Sequence, residues 1–174
     1  PTAIARVVAE VESVLDEAEI GVHCHDDCGL AVANTLAGFA AGADVGAVTV
    51  NGIGERAGNA PLGAVAVALE ALHGVETGID TTTLTTLSRA VAHRSGIDPA
   101  PTQPVVGEHS FVHESGIHVD ALVRDPSTSE GLDPSAVGQS RDIRVGKHSG
   151  STARAVAAGQ GPASERSRGS VDSE

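Results

Sequence analysis

The chain of 174 residues sets 23 acidic against 11 basic side chains, a formal net charge of -12, with 40% hydrophobic residues and two cysteines. That balance argues against a nucleic-acid binder, whose phosphate partner needs a basic stripe, and no apolar run approaches the ~20 residues of a membrane span. What is left is a soluble protein long enough to bury a core, and with no signal-peptide pattern at its start a cytoplasmic setting is expected.

Residues 3 to 18, AIARVVAEVESVLDEA, put Ile4, Val7, Val8, Val11, Val14 and Leu15 at helical spacing with acids on the other face, which predicts an amphipathic helix. IGVHCH (20–25) reads as a short buried strand, and LAVANTLAGFAAGA (30–43) as a small-residue helix closed by glycine. VGAVTVNG (45–52) is a second strand, the glycine-rich GIGERAGN (52–59) a loop, and APLGAVAVALEALHG (60–74) a third helix. This alternation is the pattern of a parallel α/β fold. Past Gly74 it changes. TTTLTTLSRAVAHRSG (81–96) predicts a lone helix, and Pro99, Pro101 and Pro104 a linker. Residues 107–150 read as short helices and loops, and the polar run from Gly159 as a disordered tail. Lys147 is the only lysine, and the acidic surface suits a solvent of high ionic strength that screens carboxylate repulsion.

Residues two apart on a strand face the same way, so His23 and His25 project together while Cys24 points to the other side. Ligands bind at the carboxyl ends of parallel strands, where His25 precedes Asp26 and Asp27. Two readings are open for the HxH pair: a cation-holding site, or hydrogen-bonded histidines that end a strand. The next strand ends in NGIGERAGN, and adjacent parallel strands deliver their ends to one side, so Asn51, Glu55, Arg56 and Asn59 can converge on the imidazoles. The CxxxC spacing of Cys24 and Cys28 fits neither a redox pair nor a zinc site, and both are expected to be reduced packing residues.

The run GVHCHDDCGLAVANTLAGFAAGADVGAVTVNGIGERAGNAPL resembles the second half of the catalytic barrel in the 2-isopropylmalate, citramalate and homocitrate synthases. The segments FVHESGIHVDALVRDPSTSEGLDPSAVG and IRVGKHSG resemble the subdomain that follows it. The resemblance implies an α/β fold: residues 1–75 as the last strands and helices of a TIM (β/α)8 barrel, 76–106 as helix and Pro-rich linker, 107–158 as a small, mostly α subdomain, and 159–174 as tail. It implies a divalent metal ion (manganese, magnesium or zinc) held by His23, His25 and Asn59 and completed by an aspartate of a DRE motif, a motif that does not occur in this sequence. Asp27 is assigned an orienting role behind the histidines, and Asn51, Glu55 and Arg56 a substrate-binding one.

The reaction implied is a Claisen-type condensation of acetyl-CoA with a 2-oxo acid, with thioester hydrolysis making it irreversible. His118 and Glu114, in HESGIH, are nominated as catalytic, His118 as the acid/base group, in a homodimer where His118 serves the neighbouring barrel. Two features stand against full activity, the missing DRE aspartate and Ser129 in the place of a family tyrosine; a further departure is that the sequence beyond KHSGSTARAVAAG turns polar where the family continues in apolar helices. The alternatives are a non-catalytic remnant or regulatory partner of an intact synthase, and, less favoured, a metal-dependent lyase acting on hydroxymethylglutaryl-CoA, whose family carries a cysteine in this glycine loop.

Overall fold

The computed structural model describes residues 1–114, 119, 121–122, 125 and 130–144. The chain divides into two compact units, Pro1–Ser110 with Pro134–Ser140, and Phe111–Asp133 with Arg141–Glu174.

In the first unit the order is α1 (Thr2–Glu12), β1 (Gly21–His23), α2 (Ala31–Ala40), β2 (Val45–Ala47), a 3₁₀ turn at Val50–Gly52, α3 (Leu62–His73), a second 3₁₀ turn at Thr81–Thr83 and α4 (Leu84–Ser95). β1 and β2 are parallel, with Gly21, Val22 and His23 opposite Val45, Gly46 and Ala47. α1 stops at Glu12, short of the predicted 18. Ser13 Oγ bonds the Glu10 carbonyl and the next amides close 3₁₀-type bonds, Val14 N to Val11 O and Leu15 N to Glu12 O. The acids Asp16, Glu17 and Glu19 would have crowded the negative end of a longer helix, and Val14, expected on the buried face, is 77% exposed.

The two faces of the β1–β2 pair differ. Val22 and Cys24 are buried, against Val8 and Ala43 on one side and Ala31, Ala60 and Val65 on the other, with Phe39 shared between the two clusters. α2 comes in close: a methyl group on Gly38 would press on Val22 Cγ1 and one on Gly46 on Phe39 Cζ. On the opposite face Gly21, His23, Val45 and Ala47 are exposed. α3 and α4 each end on a left-handed glycine, Gly74 (φ 66°) and Gly96 (φ 71°). No described helix is long and apolar enough to cross a membrane.

In the second unit β3 (Val112–His113) pairs in parallel with β4 (Asp142–Ile143), and Val119 and Leu122 are buried. The sequence reading anticipated no strand here. Two-residue strands leave no alternation to detect, and their partners are separated by nearly thirty residues of sequence.

Candidate functional site

The end of β1 is tied to the glycine loop by backbone bonds. Asp26 N donates to Gly58 O at 2.9 Å, Ala60 N to Cys24 O at 3.3 Å, and Asn59 N to Gly52 O at 3.0 Å. His25 and Asn59 form an antiparallel bridge. The loop is folded back on itself so tightly that only glycine fits at two places: a Cβ on Gly54 would overlap Asn59 Oδ1, and one on Gly58, which also sits at φ +87°, would overlap Gly52 O. Asn59 is thereby buried, 6% exposed, against the strand end.

Its amide meets His23, with Asn59 Nδ2 and His23 Nε2 3.1 Å apart. The other ring nitrogen of His23 lies 3.2 Å from Ala47 O. A carbonyl only accepts, so Nδ1 carries the hydrogen and the Nε2 lone pair faces Asn59. His25 stands edge-on to His23 with ring centroids 5.0 Å apart, and its Nδ1 is buried with no hydrogen-bond partner. Behind this pair Asp26 Oδ1 accepts from Ala31 N at 2.7 Å, capping the start of α2. That role, like the anchoring by Ala47, was not read from the sequence, since Asp26 stands five residues ahead of Ala31 and the cap position itself is Leu30.

The side chain of Asp27 is engaged by Arg56, Nε to Oδ1 at 2.9 Å and Nη2 to Oδ2 at 3.1 Å. The Arg56 hydrogen bond is the largest influence on Asp27 and holds its carboxyl below the usual carboxylate range, with Arg56 raised in turn by the same bond. Asn51 turns toward α4, its Nδ2 donating to Ser88 O at 3.0 Å, and Glu55 is exposed. Cys24 is buried as expected, whereas Cys28 is exposed and packs nothing, because it falls in the turn after Asp27 and not on the strand.

In the second unit Glu130 holds two partners. His113 Nε2 is 2.9 Å from Oε1, and Arg141 donates from Nε to Oε1 at 2.8 Å and from Nη2 to Oε2 at 2.6 Å. The Glu130 side chain is 6% exposed and that of His113 14%. The Arg141 bonds hold the Glu130 acid below its usual range, with burial opposing and the His113 bond adding to the lowering. Glu114 is exposed at the surface, and His118 and Ser129 lie outside the described residues.

A parallel strand pair with helices on one face and a histidine pair at its carboxyl end defines an α/β protein with a candidate ligand site of the barrel-enzyme kind. The HMGL-like family model matches residues 1–91, and the chain belongs to that family; the model of the homocitrate synthase post-HMGL domain matches residues 105–161. The homocitrate synthase AksA of Methanopyrus kandleri is 53% identical over 150 residues, 86% of this chain and 38% of that one. A chain of the same organism named for (R)-citramalate synthesis is 52% identical over 141 residues, 81% of this chain and 28% of the relative. The "Probable 2-isopropylmalate synthase" of Ignicoccus hospitalis is 54% identical over 131 residues, 75% of this chain and 33% of that one. Among solved structures, an HMG-CoA lyase from Acinetobacter baumannii in complex with coenzyme A and 3-methylmalate superposes with a TM-score of 0.52 at 28% identity, over 59% of this chain and 35% of the lyase. The chain thus spans about a third of the length of the curated relatives it matches. The family read from the sequence motifs is the one these comparisons give.

Proposed function

We propose that these residues belong to an acyltransferase that condenses acetyl-CoA with a 2-oxo acid, and that His23, His25 and Asn59 hold its divalent cation. The observation that carries the reading is the pair of bonds to the His23 ring. Histidines that ligate metals commonly give their second N–H to a carbonyl or carboxylate, and Ala47 O takes that part here. The 3.1 Å between Nε2 and the Asn59 amide is also the spacing of two neighbouring ligands on one ion, since bonds of ~2.1 Å at a right angle leave them about 3 Å apart. A half-turn of the amide presents Oδ1 in place of Nδ2, and the unpartnered Nδ1 of His25 leaves that imidazole with spare capacity. Among the described residues no three His, Cys, Asp or Glu side chains form an ion site by themselves; the set depends on the amide. A bound divalent ion would polarise the carbonyl of the 2-oxo acid.

The protein's own residues have separate tasks. Ala47 fixes the tautomer and aim of His23. Gly54 and Gly58 let the loop close so that Asn59 arrives at the same point. The Arg56–Asp27 pair joins the loop to the strand end and leaves Arg56 one remaining guanidinium nitrogen to offer a substrate carboxylate. Asn51, turned toward α4, supports the loop's entry and is the weakest of the substrate-binding candidates. His118 is assigned the acid/base chemistry on the family motif, with Glu114 positioning it.

On the same footing residues 1–75 form the last strand–helix units of a (β/α)8 barrel, and residues 107–158 the following subdomain of a homodimer. The uncovered face that bears His23, Val45 and Ala47 is the one a barrel would turn inward. A salt-rich setting is read from the acidic, lysine-poor composition. The synthase reading outweighs the lyase one because identities near 50% attach to synthases and 28% to the lyase.

The test is release of free CoA thiol by the natural polypeptide that carries these residues, given acetyl-CoA and, in turn, pyruvate, 2-oxoisovalerate and 2-oxoglutarate. Cation-dependent release with one acid, abolished in His23→Ala, supports the proposal. Cleavage of hydroxymethylglutaryl-CoA with no condensation would overturn it.

A further inference from the structure

We infer that one water molecule is bound inside the first unit, where it joins the 3₁₀ turn at Val50–Gly52 to α4 and to the proline-rich loop. A cavity of about 10 Å³ is lined there by Asn51, Ser88 and Gln103 among apolar neighbours that include Leu62, Leu84 and Leu87. Each of the three polar residues carries a buried atom that has no hydrogen-bond partner: Asn51 Oδ1, Ser88 Oγ and Gln103 Nε2. Folded proteins pair more than about nine in ten buried polar atoms, so three unpaired atoms around one cavity point to a shared partner.

Size and chemistry select that partner. A volume of about 10 Å³ stands at the lower edge of what one water molecule needs. The Asn51 amide is fixed in orientation because its Nδ2 donates to Ser88 O at 3.0 Å, which leaves Oδ1 as the acceptor. Gln103 Nε2 can only donate, and the Ser88 hydroxyl can do either. A water donating to Asn51, accepting from Gln103 and completing a bond with Ser88 satisfies all three, and about three bonds is the usual number for a buried water. A metal cation would face the Gln103 N–H and an anion the Asn51 oxygen, so neither suits the set.

The place gives the water a structural task. Asn51 stands at φ 60°, ψ 6°, a left-handed conformation that asparagine adopts more readily than other non-glycine residues. Gly52 O, the next carbonyl, receives Asn59 N. The water fastens the turn from which the Gly52–Asn59 loop hangs onto α4. This inference stands on the cavity and does not need the proposed activity.

The test is a crystal structure of the chain at about 1.5 Å together with water-to-amide magnetisation transfer in solution. A single density peak within hydrogen-bond distance, about 2.7–3.2 Å, of all three atoms is expected, with transfer from a long-lived water to the Gln103 side-chain amide. Gln103→Leu should expel the water. Should that variant fail to fold, Ser88→Ala removes one bond and should speed the water's exchange at least tenfold. A dry cavity overturns the inference, as does direct bonding of Asn51 to Gln103, a peak at the ~2.3 Å contacts of a cation, or exchange unchanged in Ser88→Ala.

Discussion

The Nε2 atom of His23 and the side-chain amide of Asn59 stand 3.1 Å apart across 36 residues of sequence. Their meeting is built by the backbone. Bonds from residues 58–60 to Cys24 and Asp26 lay the loop against the end of β1, and Gly54 and Gly58 let the loop fold back on itself so that Asn59 arrives there. The relationship makes the loop's shape, more than its charges, the determinant of the site.

Gly54→Ala tests that point. The new methyl group would overlap Asn59 Oδ1, while the backbone at residue 54, which has no positive φ, accepts alanine without strain. The expected outcome is a moderate loss of stability, about 1–3 kcal/mol from overpacking, with a loss of divalent-cation affinity of about tenfold to a hundredfold as Asn59 is displaced. Thermal denaturation and titration calorimetry read the two effects separately.

Glu130→Gln probes the second unit. The carboxylate is 6% exposed and carries two Arg141 bonds and one from His113. Removing its charge takes the ion-pair attraction of the two Arg141 bonds out of a buried setting, and a destabilisation on the order of 3 kcal/mol is expected. The sign with pH follows from the lowered acid constant. The contribution of Glu130 is fully present above the ordinary glutamate value of 4.5 and is lost as pH falls from there through the lower value of the folded state. Denaturant midpoints measured from pH 6 downward should converge for wild type and variant in acid.

The Asp27–Arg56 pair should behave differently. Both side chains are about half exposed, 49% and 56%, so screening by water and salt leaves little net stability in the pair. Arg56→Ala is expected to leave the melting temperature almost unchanged in 1 M salt and to lower it slightly in dilute buffer. A clear effect on the KM for the 2-oxo acid in the natural polypeptide would show that the guanidinium also serves the substrate.

Much of the first unit was legible in the sequence. Valine and alanine periodicity marks the helices, and the HxH and GIGERAGN motifs mark the strand ends, because short-range patterns there coincide with the fold. The helix end at Glu12 was missed because apolar spacing continues through Val14 and Leu15 while the acids that follow argue the other way. Cys28 was expected to pack because its spacing fitted no other role, whereas it falls in the turn after Asp27 and is exposed. The Glu130–Arg141–His113 cluster left no trace, since its members are 11 and 17 residues apart in sequence and nothing in spacing alone predicts such contacts. The anchoring of His23 by Ala47 was equally hidden, because it is a backbone carbonyl and could have belonged to any residue type.

Calorimetric titration of the chain with manganese, with His23→Ala and Asn59→Leu as comparators and circular dichroism to confirm that each is folded, bears most directly on the candidate site. The account predicts one saturable site in the wild type, weakened at least tenfold in either variant. Equal binding by all three folded proteins, or none by any, would contradict it.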